Sequence, residues 1–359
     1  VGNSAIWVHV DLAAGHRSRL TIDDVAALAR VSIKTVSRVI NDEPNVKPAT
    51  RDRVLEAIRR LDYRPSRVAR SLASRQVFVI GLLYDNPSPY YIYNVQSGAL
   101  KGCEQRGYDL LLHPTTFGNA RTPEEIVTLH GQSRFDGVLL TPPLSDMEAL
   151  TSALREQRVP FVLIAPGVEL EADARVCTND EAVVAEMTRH LVGLGHRRIA
   201  FVAGHPDHLA VGKRLSGFLA AMREAGLPVP AEYVAQGYNS FESGEAAARR
   251  LLDLPTRPTA IFAANDEMAA GVIKVAHSLG IALPRELSVA GFDDTPMTTQ
   301  VWPALSSVRQ PIARMAEMAA GMLIEAAASG PGPPTRQLIP SEVVVRESTA
   351  PPARSSADH

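Results

Sequence analysis

The sequence is poor in aromatic residues and cysteine, and it contains no long apolar run. Phe, Trp and Tyr make up 5% of its 359 residues. Its two cysteines, Cys103 and Cys177, are too few for a disulfide framework, which favours reduced thiols and a cytoplasmic location. No stretch approaches the roughly eighteen apolar residues of a membrane span, so we expect no membrane partner.

Motifs that would indicate an enzyme or a metalloprotein are also missing. A Gly-x-Ser-x-Gly elbow does not occur. The run from Asp207 to Arg214 lacks the first Gly and the final Ser or Thr of a phosphate-binding loop. His205 and His208 have no second pair of metal-ligating residues near them in the sequence. We therefore expect no catalytic residues, no metal and no cofactor.

The first nineteen residues do not have the pattern of a signal peptide. His9 and Asp11 interrupt the apolar stretch, and no basic region precedes it. We expect residues 1–19 to form a disordered extension.

Basic residues are concentrated near the start of the chain. Residues 17–75 contain 14 Lys or Arg against 7 Asp or Glu, whereas the whole chain has a net charge of −2. A small basic module on a larger acidic body is typical of a protein that binds a polyanion with one end. Charge alone does not establish such binding.

Residues 20–64 have the pattern of three short helices. Thr21 and Asp24 form a capping-box start, and apolar residues recur three and four positions apart after it. Ser32 suits the cap of a second helix, and Pro48 suits the first position of a third. The short turn between the first two helices is typical of a helix-turn-helix DNA-binding module.

In such a module the start of the second helix enters the major groove. Its side chains here offer an apolar contact, hydroxyls, and donors for guanine or phosphate. The candidate DNA-binding residues of this helix are Ser32, Ile33, Lys34, Thr35, Ser37, Arg38 and Asn41. From this segment alone, a small helical bundle with an ordinary solvated face is the alternative.

Strand-like apolar runs alternate with helix-like segments from residue 76 to residue 346. The runs form two series, at 77–83, 108–112, 137–140 and 161–165, and at 198–203, 233–236, 260–263 and 287–291. This alternation indicates parallel sheets with helices on both faces, and the length indicates two doubly wound lobes. Ligands of such sheets bind beyond the carboxyl ends of the strands.

Polar residues follow several of these runs. Asp85 follows the first run, Asn265 and Asp293 follow later ones, and Arg214 lies near a helix start. Carboxylates accept hydrogen bonds from sugar hydroxyls and guanidinium groups donate them, so we expect Arg214, Asn265 and Asp293 to form a ligand site. Any one of these residues alone is as readily explained as a strand or helix cap.

Several motifs resemble those of the LacI/GalR family of bacterial transcription regulators. VSIKTVSRVIN, TRDRV and LDYRPSRVARSLA are similar, in order, to the family's head and hinge. GHRRIAFVAG, KRLSGF, LSVAGFDDT and WPALSSVRQP are similar to its sensor motifs. The resemblance covers almost everything after residue 20. It implies an all-α helix-turn-helix head at residues 20–64 and a two-lobed α/β sensor at residues 76–346, with the fold of periplasmic sugar-binding proteins.

By this resemblance, Ile33 and Lys34 select bases, and the next polar residues of the helix fix it in the groove. The positions that contact the DNA backbone are matched by Asn41, Asn45, Thr50 and Tyr63. Residues 65–75 match a hinge that becomes helical on operator binding, with Leu72 as a minor-groove wedge. The candidate DNA contacts of the hinge are Arg67, Ala69, Arg70, Leu72 and Ala73. Lys47 departs from the family, which often has a serine cap there.

The resemblance also supports a set of effector-binding residues. The candidates are Asp85, Tyr91, Arg214, Asn265, Asp293 and Gln310, the last on a crossover strand. Asn239 departs from the family, because well-known members have an aromatic residue there that stacks on the ligand. Tyr238, Phe241 and Trp302 are the aromatic residues that would have to replace it.

We therefore expect a DNA-binding repressor, not an enzyme, that binds a palindromic operator as a homodimer. Its effector is expected to be a sugar or a sugar derivative. A purine or a phosphoprotein co-regulator is the alternative, and a sugar-binding protein without a regulatory role fits less well because of the basic head. Residues 347–359 contain two prolines and no heptad, so we expect a disordered tail.

Overall fold

A computed structural model describes residues 20–40, 44–63, 76–132, 134–168, 174–330 and 335–353. The chain divides into two compact units, with the boundary between Gln76 and Val77. Within the described ranges, no helix combines the length and the apolar character needed to cross a membrane. The expected extension at 1–19 and the expected hinge at 65–75 lie outside the described residues.

In its described residues, the first unit is a small bundle of three helices, α1 (Ile22–Ala29), α2 (Ile33–Ile40) and α3 (Pro48–Leu61). The expected capping box is present, since Asp24 Oδ2 accepts hydrogen bonds from the Thr21 amide at 2.7 Å and from its hydroxyl at 2.9 Å. Ser32 Oγ accepts a hydrogen bond from the Thr35 amide at 3.2 Å and so begins α2. A core of Val, Ala and Tyr side chains holds the helices together: Val25, Ala26, Ala29, Val36, Val39, Val54, Ala57 and Tyr63.

The second unit consists of two α/β lobes. The first lobe is built from β1 (Val79–Tyr84), α4 (Pro89–Glu104), β2 (Asp109–Pro114), α5 (Thr122–Gly131), β3 (Gly137–Leu140), α6 (Glu148–Glu156), β4 (Phe161–Ile164), β5 (Arg175–Cys177), and, later in the chain, α11 (Ile312–Ser329) and β11 (Arg336–Leu338). Its parallel sheet has the strand order β11-β5-β4-β3-β1-β2. Apolar clusters lie on either side of this sheet, one containing Ile80 and the other Leu83.

The second lobe follows the same plan. It contains α7 (Asp180–Gly193), β6 (Ile199–Ala203), α8 (Ala210–Glu224), β7 (Val234–Gln236), α9 (Phe241–Leu252), β8 (Ala260–Ala263), α10 (Asp266–Ser278), β9 (Ser288–Asp293), β10 (Ser306–Arg309) and β12 (Glu342–Val344). The strand order is β12-β10-β9-β8-β6-β7, and only the β10–β12 pairing is antiparallel. The strand β8, AIFA, is buried along its whole length, as expected for a parallel strand covered on both faces.

The chain passes between the lobes three times. It crosses after β5, again at Gln310 and Pro311 between β10 and α11, and finally between β11 and β12. The first and third crossings are joined, because Asn179 Oδ1 accepts a hydrogen bond from the Ser341 amide at 2.7 Å. Any change in the angle between the lobes therefore has to bend these three connecting segments.

The expected fold is confirmed, and the eight expected strands are present to within two residues at each end. The C-terminal limit of the sensor at residue 346 was wrong. The Ser348 carbonyl accepts a hydrogen bond from the Val289 amide at 2.9 Å, and Ser348 Oγ donates to the Val289 carbonyl at 2.6 Å. The segment around Ser348 is thus held against β9 by hydrogen bonds, which do not require an apolar sequence. Residues 354–359 lie outside the described part.

Candidate functional site

A cleft lies between the two lobes at the carboxyl ends of their strands, where open α/β sheets bind ligands. The space between its walls, with the open solvent at its mouth included, is about 460 Å³. Its lining comes from both lobes: Asn86, Ser88, Tyr91, Pro142, Ala165, His208, Ala210, Val211, Arg214, Asn239, Asn265, Asp293 and Gln310. Five of the six expected effector residues are in this set.

Arg214 is the fixed cation of the cleft. It projects from α8, and its Nε lies 3.1 Å from Asp180 Oδ2 in a buried ion pair. Its Nη1 donates to the Ala264 carbonyl at 2.6 Å, and its Cζ lies 3.6 Å from the centre of the Phe292 ring. These contacts do not use Nη2, so Arg214 can still donate to a ligand without moving.

Asp293 and Gln310 supply two buried acceptors without a hydrogen-bond partner. Asp293 ends β9 and is 8% exposed, and Gln310 follows β10 and is 5% exposed. Asp293 Oδ1 and Gln310 Oε1 accept no hydrogen bond. Burial raises the pKa of Asp293 well above its usual value, while nearby Arg214 opposes this shift. A ligand that brings hydroxyl donors to these two oxygens removes the cost of leaving them unsatisfied.

Asn265 has a structural task in addition to lining the cleft. Its Oδ1 caps α10 by accepting from the Met268 amide at 3.0 Å. Its Nδ2 donates to the Asn239 carbonyl at 3.1 Å and to Glu267 Oε2 at 2.8 Å. The helix-cap interpretation of this residue is therefore correct, and its ligand-binding role stays a prediction.

Ser88 joins the two lobes. It caps α4 by accepting from the Tyr91 amide at 3.3 Å, and its hydroxyl donates to Glu267 Oε1 across the cleft. Glu267 begins the second lobe's helix α10 and is buried, which raises the pKa of its carboxyl group. This bond closes one side of the cleft in the arrangement seen here.

Asp85 is the one expected effector residue that does not line the cleft. Its Oδ2 instead accepts a hydrogen bond from the Phe117 amide at 2.7 Å, which ties together the loops after β1 and β2. Asn86 and Ser88, from the same loop, are turned toward the cleft. Tyr91, the other candidate in this segment, lines the cleft as expected, whereas an effector-binding role for Asp85 stays a prediction.

The wall around Asn239 is polar. Asn239 Oδ1 accepts from the His205 amide at 3.2 Å, and Nδ2 lies 3.4 Å from His208 Nδ1. Tyr238, Phe241 and Trp302 do not line the cleft. Burial lowers the pKa of His208 to about 4, with smaller contributions from His205 and Arg214, so the ring is neutral near pH 7. The sequence favours a surface loop over a metal site for His205 and His208, and it gives no sign that His208 lines the cleft. No metal-binding cluster of His, Cys, Asp or Glu is found among the described residues.

A second layer of bonds supports β9 beneath the cleft. Asp266 Oδ1 accepts from Ser307 Oγ at 2.6 Å, and its Oδ2 accepts from the Thr295 amide at 2.7 Å. Its carboxylate lies against Gly291, where a β-carbon would collide with it. Burial raises the pKa of Asp266 to about 7. Asp266 thus holds the end of β9 in place without touching the cleft.

The head presents the start of α2 to solvent. Ser32, Ile33 and Lys34 are exposed, with the Ile33 side chain at 47%. The later polar residues of this face are partly buried against the bundle: Thr35, Ser37 and Arg38. An exposed apolar side chain beside a lysine fits base reading in a major groove.

The remaining expected DNA contacts are more dispersed. Asn45 is exposed, Thr50 is partly buried at the start of α3, and Tyr63 lies in the bundle core. Lys47 precedes α3 without a side-chain cap bond, as its departure from serine implies. Asn41 and the expected hinge contacts Arg67, Ala69, Arg70, Leu72 and Ala73 lie outside the described residues.

Comparisons with known proteins agree with this architecture. Residues 21–66 match the model of "Bacterial regulatory proteins, lacI family", and residues 188–349 match a periplasmic binding protein-like domain. Catabolite control protein A of Priestia megaterium is 35% identical over 294 residues, which is 82% of this chain and 88% of that protein. The ribose operon repressor of Escherichia coli K12 is 35% identical over 308 residues, which is 85% of this chain and 92% of that protein.

Two solved structures are similar to most of the chain. The complex of the transcriptional regulator CelR with cellobiose has a TM-score of 0.71 and 31% identity, covering 92% of this chain and all of that one. The lac repressor dimer bound to operator has a TM-score of 0.74 and 26% identity, covering 92% of this chain and 99% of that one.

A helix-turn-helix head joined to a two-lobed cleft defines a DNA-binding transcription regulator with a small-molecule sensor. The similarity to the two relatives, catabolite control protein A and the ribose operon repressor, extends over most of this chain and most of each relative, so it does not depend on the head alone. The chain belongs to the lacI family of bacterial regulatory proteins.

Proposed function

We propose that this protein is a cytoplasmic repressor whose operator affinity is controlled by a neutral carbohydrate bound in the cleft. The observation that carries the carbohydrate assignment is the pair of buried, unpartnered acceptors, Asp293 Oδ1 and Gln310 Oε1. Sugars carry several hydroxyl donors on a compact frame, and a site with unsatisfied acceptors selects ligands that supply donors.

The charge of the cleft favours a neutral sugar over a phosphorylated or acidic one. Arg214 is the only Lys or Arg among its described lining residues, and it is already paired with Asp180. His208 is neutral near pH 7 because burial lowers its pKa. An anionic ligand would therefore find no unpaired cation among the described lining residues.

A purine is disfavoured because the cleft offers it little to stack on. Tyr91 is the only Phe, Tyr or Trp in the described lining, and it is 7% exposed with its ring packed in the first lobe's core. Flat heteroaromatic ligands gain much of their affinity from ring stacking. The structural neighbour CelR holds cellobiose, which supports the carbohydrate assignment.

The head supports binding to a palindromic operator as a homodimer. One short recognition helix reaches few bases, and two heads related by a twofold axis read a palindrome. The lac repressor neighbour is a dimer on its operator. The same head argues against a sugar-binding protein without a regulatory role. A helix-turn-helix unit with Ile33 and Lys34 exposed, in a basic segment of the chain, is suited to binding DNA and contributes nothing to binding a sugar.

The operator half of the proposal is tested by selecting bound sequences from a random DNA library with the full chain. We expect enrichment of a palindrome, and fluorescence anisotropy should give a dissociation constant of about 10⁻⁸ M or tighter at physiological salt. Failure to enrich any sequence, or enrichment of a site without twofold symmetry, would contradict it.

The effector half is tested by titrating ribose, glucose, cellobiose, galacturonate, glucose 6-phosphate and hypoxanthine into the protein–operator complex. We expect a neutral sugar to change operator affinity and to raise the melting temperature of the free protein. A response to hypoxanthine or to an anionic sugar, with none to the neutral sugars, would overturn the assignment.

A further inference from the structure

The turn after β9 has a backbone that side chains rarely adopt. Asp293 has φ of +107° and Asp294 has φ of +53°, and neither residue is glycine. Such residues persist only where their surroundings hold them in place. The turn matters to the cleft because it is what presents the unpartnered Asp293 Oδ1 to the ligand space.

Asp294 is the residue that holds this turn. Its Oδ2 lies 2.7 Å from Arg309 Nε, and its Oδ1 lies 2.7 Å from Arg346 Nη2. Its amide donates to Ser307 Oγ at 3.1 Å. The carboxylate is 6% exposed, so these charge-assisted bonds are shielded from water on the aspartate side.

Arg309 and Glu342 lie beside separate crossings between the lobes. Arg309 ends β10 and is followed at once by the crossing at Gln310. Arg346 lies just beyond β12, which the chain enters from the third crossing. Arg309 Nη1 also lies 2.7 Å from Glu342 Oε1, at the first position of β12. Asp294, Arg309, Glu342 and Arg346 together form a bracket that joins the turn after β9 to β10 and β12 of the second lobe.

We propose that Asp294 is a positioning residue, and that this bracket couples the cleft carboxylate to the angle between the lobes. Asp293 and Arg309 are register partners on adjacent strands, and Gln310 is the next residue. A shift of either crossing therefore pulls on Asp294, and through the strained turn it reorients Asp293. Conversely, a ligand that fixes Asp293 and Gln310 fixes the bracket. The ligand part of this inference rests on the proposed function, whereas the mechanical coupling does not.

Hydrogen–deuterium exchange of the full chain without ligand tests the coupling. In Asp294→Asn we expect exchange to rise about tenfold or more in peptides covering the turn at 292–299, and also in peptides covering the crossings at 310–315 and 339–345. The control is Glu224→Gln, which removes an exposed ion pair with Arg189 in the same lobe. It should leave all three regions unchanged.

Asp294→Gly separates the turn from the bracket, because glycine adopts positive φ without strain. We expect it to leave the turn better protected than Asp294→Asn does, while the crossings exchange as fast as in Asp294→Asn. Arg309→Gln, which changes a half-exposed side chain, should loosen the crossings in the same direction if Asp294→Asn proves too unstable to measure.

Faster exchange confined to 292–299 in these variants would make Asp294 a local cap and overturn the inference. Unchanged exchange everywhere would overturn it as well, and so would a uniform rise across both lobes in Arg309→Gln. Because no effector is added, none of these outcomes depends on whether the ligand is a carbohydrate.

Discussion

Replacing Arg214 by methionine should destabilise the sensor unit strongly, because it leaves a carboxylate buried without its partner. Asp180 is 5% exposed and lies 3.1 Å from Arg214 Nε, and the Ala264 carbonyl loses its 2.6 Å donor as well. Breaking a buried pair on one side costs about 3–5 kcal/mol. Arg214→Met should therefore lower the free energy of unfolding by about that amount in guanidinium denaturation followed by circular dichroism.

A double-mutant cycle separates the stranded charge from general loss of packing. Arg214→Met combined with Asp180→Leu removes both charges, so the double variant should be about 1–3 kcal/mol more stable than the sum of the single losses. The matched control is Arg189→Met, which breaks a pair with the same 3.1 Å separation from Glu224 but with both side chains exposed. It should cost less than about 1 kcal/mol. Additive losses at Arg214 and Asp180, or equal losses at Arg214 and Arg189, would refute the reasoning.

Four further outcomes are expected. Operator affinity should fall steeply and linearly on a log–log plot against salt, and a flat plot would argue against phosphate contacts by the head. Lys34→Gln should change the preferred operator bases, whereas Lys274→Gln, in the sensor unit, should change neither preference nor affinity in the same selection experiment. Asp293→Asn should weaken the effector by ~1.5–3 kcal/mol, roughly 10- to 150-fold by calorimetry, with operator affinity unchanged when no effector is present. Because the pKa of His208 is lowered to about 4 in the folded protein, the unfolded chain binds a proton at this histidine at a higher pH than the folded chain does. The free energy of unfolding should therefore fall by about 2 kcal/mol between roughly pH 7.5 and pH 5 on account of this residue. That contribution should be absent in His208→Gln.

The sequence predicts the parts of the fold that have a strong periodic signal. The buried strands β1, β3 and β8 are short apolar runs between turn residues, and their order along the chain fixes the two-lobed plan. The two strands on either side of the third crossing, β11 and β12, are harder to predict from the sequence, because each has three residues and a mixed composition. Their positions depend on pairing with distant strands, and such pairing leaves no local pattern.

The sequence predicts which loops line the cleft, but it does not always predict which residue of a loop does so. Arg214, Asp293 and Gln310 line the cleft as expected. In the loop after β1, however, Asn86 lines the cleft, whereas Asp85 accepts a hydrogen bond from the Phe117 amide. A loop sequence does not determine which of two adjacent polar side chains points inward. The tail shows the same limit in another form, because Ser348 is held by two hydrogen bonds to the Val289 main chain, one of them from its hydroxyl, and a single serine leaves no periodic pattern in the sequence.

In the proposed site, the residues that would bind the ligand are the same few that join the lobes or lie beside the crossings between them. One wall presents Ser88, which bonds to Glu267 across the lobes, and the other presents Asp293 and Gln310 beside the crossings. A ligand that touches both walls binds the arrangement with these groups in place more tightly than an arrangement with them apart. That difference in affinity, typically about 1–3 kcal/mol, is the free energy available to alter operator binding. Its sign is set by which arrangement allows two heads to reach their half-sites.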